Sequence, residues 1–73
     1  MDVVSERVRQ LVNARPMTNR QLGELLGLSA ASANGKLNGH IAWTSRDILI
    51  LSDHFGVSTD YLFGRSDKEG RDV

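Results

Sequence analysis

Thr18-Asn-Arg-Gln-Leu-Gly-Glu-Leu-Leu-Gly-Leu-Ser29 decides how this chain folds. Thr18 and Gln21 have the spacing of a capping box, in which each side chain takes up a backbone N–H that the first helical turn leaves free. Met17 and Leu22 flank that cap as a hydrophobic staple. Gly27 suits the left-handed residue that ends a helix, and Ser29 suits the cap that begins the next. The link Gly27-Leu28-Ser29 is too short for anything but a tight corner. Leu22, Leu26, Leu28 and Ala33 fall where that corner needs a small core. Gly23 falls where the two helices come closest, so the position needs a small residue.

Two short helices around a glycine turn form a helix-turn-helix. The same capping pattern recurs outward from it. Trp43-Thr44 repeats the box and staple with Asp47 and Ile48. Leu28-Ser29 and Val57-Ser58 give weaker versions, with Ala33 and Leu62 as staple partners. Gly39, Gly56 and Gly64 mark further stops. Toward the N-terminus, Val4, Val8, Leu11 and Val12 make one apolar stripe at helical spacing, and Pro16 ends it by pushing Arg15 out of the helical region. The expectation is all-α: a compact bundle of about five short helices near 2–14, 19–26, 30–38, 45–55 and 59–63. Residues 1–64 form the helix-turn-helix domain, and the polar segment 65–73 is a flexible C-terminal tail.

Seventy-three residues bury only a small core. There is no cysteine, hence no disulfide, thiolate metal site or cysteine nucleophile. The two histidines, His40 and His54, stand apart in sequence and make no metal site. Asp53 and His54 are adjacent and point different ways on a helix, and no glycine loop cradles phosphate. An enzyme, a cofactor and a small-molecule substrate are therefore not expected. The longest apolar runs fall far short of the roughly 18 residues of a membrane span, so a cytoplasmic, membrane-free setting is expected. Nine Lys and Arg balance nine Asp and Glu, but unevenly. Residues 15–46 carry Arg15, Arg20, Lys36 and Arg46 against Glu24, a net +3, while 47–64 carry Asp47, Asp53 and Asp60, a net −3. One end of the molecule is suited to meet phosphate.

Thr18–Ser29, the Asn38-Gly39 ending and the stretch Phe55-Gly-Val-Ser-Thr-Asp-Tyr-Leu-Phe-Gly64 together resemble the Cro/cI-type repressor family, often called XRE, without a gap. The resemblance covers about residues 3–64. It implies a lambda-repressor-like fold and binding of operator duplex DNA by a transcriptional regulator, Cro- or repressor-like, of phage or prophage type. The setting would be the nucleoid of a bacterial or phage-infected cell. Helix 30–38 would enter the major groove N-terminus first. The family's base-contacting positions fall on Ala30, Ala31, Asn34 and Gly35. Asn34 offers the bidentate amide that suits adenine, the alanines suit thymine methyl groups, and Gly35 brings bare backbone close. Phosphate contacts are expected from Asn19 and Arg20 at a helix N-terminus, and from Ser32, Asn38, His40, Thr44 and Arg46. Lys36 stands where the family buries an apolar residue and is expected to snorkel to phosphate. Gly23 replaces the family's Ala, and Trp43 its Pro; Trp43 is read as a staple for Ile48.

One reading helix covers few base pairs, so family members pair on half-sites about one helical turn apart. A weak homodimer is expected through Ile50, Tyr61 and Phe63, apolar residues in excess of what the last two helices can bury. Leu49 is expected at the edge of the core. The alternative is a helix-turn-helix that docks on another protein, as an antitoxin or anti-repressor does. Neutral net charge and the Ala/Gly-rich reading helix favour it.

Overall fold

The structure, a computed structural model, describes residues 2–70. Five helices follow one another: α1 (Val3–Ala14), α2 (Asn19–Leu26), α3 (Ala30–Leu37), α4 (Ser45–Phe55) and α5 (Thr59–Leu62). Each expected segment is present, and no boundary moves by more than one residue. The starts are set locally. Asp2, Thr18, Ser29, Thr44 and Ser58 each accept a backbone N–H three residues on. At Thr18 and Thr44 the box closes in both directions. Gly27 ends α2 with φ of 73°, a left-handed conformation that costs a side-chain-bearing residue energy.

Val8, Leu22, Leu26, Leu51 and Leu62 are fully buried at the centre, with Leu11, Ala33, Leu37, Ile48, Phe55 and Val57 around them. Every helix contributes at least one residue to this one core. α2 packs most closely on α3, α1 lies across α3 and α5, and α4 rests on α2 and α5. The corner between α2 and α3 is tight: a Cβ on Gly23 would stand 2.6 Å from the Leu28 carbonyl oxygen and 2.9 Å from that of Ser29. Both neighbours are backbone.

Three arginines tie helices together end to side. Arg9 of α1 donates to the Leu37 carbonyl at 3.1 Å, Arg15 to that of Phe55 at 2.8 Å, and Arg46 of α4 to that of Leu26 at 3.4 Å. Each acceptor is the last residue of a helix, where a carbonyl lacks an intrahelical partner and a cation meets the negative end of the helix dipole.

Of the tail, residues 65–70 lie back along the start of α5. The Ser58 N–H donates to the Glu69 carbonyl at 2.7 Å, and Arg7 pairs with Asp67 at 3.1 Å. Residues 71–73 lie outside the described residues.

Candidate nucleic-acid interface

The outward side of α3 follows from what its inward side buries. Ala33, Lys36 and Leu37 face the core; at 100° per residue, Ala31, Asn34 and Asn38 then face away. Ala30, Ala31 and Asn34 are exposed. Beside them lies the N-terminus of α2, where Asn19 and Arg20 are exposed. Asn19 Nδ2 donates to Asn34 Oδ1 at 3.2 Å. The bond uses one lone pair of that oxygen, so the exposed Asn34 amide still has acceptor and donor capacity for a ligand. The bond links the exposed Asn34 side chain to the start of α2.

Other expected contacts fall around this face. Arg20 Nε lies 3.4 Å from Glu24 Oε1, an exposed i,i+4 pair that solvent screens. The Ser32 hydroxyl is engaged by the Ser29 cap at 3.1 Å. Asn38 ends α3, and its Oδ1 accepts from Arg9 at 3.0 Å. His40 is exposed, and its backbone N–H is spent on the Gly35 carbonyl at 2.8 Å. Thr44 is exposed and caps α4. Arg46 is exposed too, with one nitrogen on the end of α2.

Five expectations are corrected. Lys36 does not snorkel. It is 5% exposed and ion-paired with Asp47, itself 3% exposed. The position is buried, as the resemblance implies, and Asp47 makes a buried cation tolerable. Burial alone would raise the Asp47 carboxyl. Hydrogen bonds from Lys36 and Thr44, together with the Lys36 charge, outweigh it and hold the group below its ordinary 3.8. Ser5 completes the assembly: its hydroxyl donates to the Lys36 carbonyl at 3.0 Å and accepts Trp43 Nε1 at 2.9 Å. Trp43 thus packs on the core and is also anchored by its polar end.

Gly35 does not offer bare backbone. A Cβ there would stand 2.8 Å from Ile41 Cδ1, so the Ile41 side chain covers it. Tyr61 is no surface residue either: it is 4% exposed, its ring lies under the Arg7 guanidinium at 4.3 Å, and its hydroxyl reaches Gln10 at 3.4 Å. Ile50 is half-buried against the core because it shares a side of α4 with buried Asp47, whereas Leu49 is 60% exposed. Phe63, at 50%, stays open as expected. Sequence reasoning missed Arg9 and Ile41. Nothing local marks Arg9, whose partners lie 28 and 29 residues away. The apolar run Ile41-Ala42-Trp43 after His40 was the available signal for Ile41.

The comparisons agree with this architecture. The family model described as BetR domain matches residues 1–73. A crystal structure of the P22 c2 repressor protein in complex with a synthetic operator, 9T, in the presence of Tl+ superposes with a TM-score of 0.75. It is 21% identical and covers 90% of this chain and 100% of its own. The fold is therefore lambda-repressor-like, as the resemblance to Cro/cI-type proteins implies. No curated protein matches the chain.

Proposed function

This chain belongs to the BetR domain family, and from that premise we propose that it binds operator duplex DNA with α3 in the major groove and regulates transcription. The observation that carries the reading is the Asn19–Asn34 bond, which joins the start of α2 to an exposed amide on α3. A helix N-terminus that favours phosphate then sits beside an exposed amide of the kind that suits a base edge. Ala30 and Ala31 pack on base edges, Asn34 reads adenine, and Asn19 and Arg20 meet phosphate. Asn38, His40, Thr44 and Arg46 border the far side. With so few long polar readers, much of the specificity comes from groove shape and from pairing of two copies on half-sites. The P22 c2 repressor, of the same fold, is seen with an operator, which supports the reading.

Titration of random duplex at two salt concentrations tests it. Affinity should fall as salt rises from about 50 to about 200 mM, because bound phosphates release counterions. Absence of binding at low salt overturns the reading. That outcome favours the antitoxin-like alternative, a domain docking on protein, for which the burial of Lys36 within an ion pair also speaks.

A further inference from the structure

The loop between α3 and α4 does more than connect them. Gly35 lies on the outward side of α3, and its carbonyl accepts the N–H groups of both His40 and Ile41, at 2.8 and 3.2 Å. Those two bonds fold the loop back onto the helix. Ile41 then lays its side chain over Gly35: a Cβ there would meet Ile41 Cδ1 at 2.8 Å and Cγ1 at 3.1 Å. The isoleucine thus occupies the volume that a side chain at position 35 would fill. It is still 42% exposed, so only one flank is used in packing. Trp43, two residues on, turns inward to Ser5; Ile41 does not. The result is an exposed apolar group lying over Gly35 on the outward side of α3. It is rigid at χ1 by β-branching and fixed at its backbone.

We propose that Ile41, outside the reading helix, is a base-reading residue whose ligand is the 5-methyl group of thymine in the major groove. The inference rests on the DNA-binding reading above. Ile41 has no donor or acceptor, and the thymine methyl is the one apolar feature that a base pair presents in that groove. Packing over Gly35 sets the side chain before DNA arrives, so little conformational freedom is lost on contact.

The test begins with duplexes selected by the wild-type chain from a random pool. Each thymine of a selected site is then replaced by uracil, which lacks only the methyl. At one position per half-site, uracil should weaken wild-type binding about fourfold, the value of one methyl group withdrawn from water. Ile41→Ala should bind thymine and uracil there equally. Ile41→Val, which keeps a branched apolar group, should retain most of the difference. Urea denaturation of each variant checks that the fold persists. If wild type ignores uracil everywhere, or Ile41→Ala keeps the same penalty, Ile41 is not a reader although DNA binding stands. If no duplex is retained at low salt, both readings fall together.

Discussion

Gly23 and the Lys36–Asp47 pair show how much rests on single residues. Alanine at position 23 would gain about 1 kcal/mol in helix propensity. Its methyl would also press 2.6 Å from a backbone oxygen that cannot step aside. Overpacking of that kind costs about 1–3 kcal/mol, so Gly23→Ala should lower stability in urea denaturation, even though alanine is the family's usual residue there. A variant more stable than wild type would refute the close approach. Asp47→Asn should be worse, by about 3 kcal/mol, because it leaves Lys36 buried without a counter-charge. The double variant Lys36→Met/Asp47→Asn should recover most of that loss. The pair also sets part of the acid response. The folded Asp47 carboxyl titrates below 3.8, so its contribution is whole above that pH and drains away as pH falls through the folded value. Asp47→Asn should flatten this part of the acid limb. A remainder persists from Asp2, held low by its hydrogen bonds from Ser5 and so lost in the same direction. None of this was legible at position 36 itself: Asp47 lies eleven residues on, in another helix. The hydrophobic environment was legible; the counter-charge was not.

Helices are the scale at which the sequence speaks most clearly, because caps and stops are local. Thr18, Ser29, Thr44 and Ser58 start helices for reasons contained within five residues, and all four do so in the structure. Long-range ties are invisible to that grammar. Arg15 and Arg46 read as part of a phosphate-facing basic segment and Arg9 went unmarked, yet each reaches the carbonyl end of a distant helix. Arg9→Met should therefore loosen the last turn of α3, seen as faster amide exchange there than in α5. The exposed face of α3 was legible as a face, since Ala31 and Asn34 fall opposite the buried Ala33 and Leu37; its neighbour Ile41 was not, because loop paths have no periodicity. For the face itself, Asn34→Ala should cost about 1–3 kcal/mol in discrimination at one base pair. Arg20→Ala should weaken all duplexes alike. Equal losses on specific and random sites in both variants would reverse those roles.

For the molecule as a whole, charge is the informative quantity. The net +3 of residues 15–46 overstates the charge open to DNA, since Lys36 is neutralised inside by Asp47, while Arg15 and Arg46 stay exposed with one nitrogen each on a helix end. Non-specific binding should accordingly be weak, with a salt slope smaller than that of a protein making six to ten phosphate contacts. Tight affinity then calls for two copies on one operator. Exposed large apolar residues away from α3 are Val3, Leu49 on α4 and Phe63 after α5; Phe63 lines a groove with Trp43 and Ile48, and Leu49 a second one with Ser58 and Thr59. Sedimentation with a palindromic duplex should give two chains per site, and Leu49→Lys/Phe63→Ser should shift it to one. A one-to-one complex insensitive to both changes would exclude this face.

Gly35 and Ile41 interlock, whereas Ala30 and Ala31 stand clear of the core, and this difference shapes how such a protein diverges. Positions 30 and 31 are free letters: one mutation rewrites either without disturbing the fold. Positions 35 and 41 form a coupled letter. Any side chain introduced at 35 must displace Ile41, so under the proposed reading a single change removes one contact before it supplies another. Lineages descended from this chain should therefore swap 30 and 31 independently and change 35 and 41 as a pair, a larger residue at one going with a smaller residue at the other.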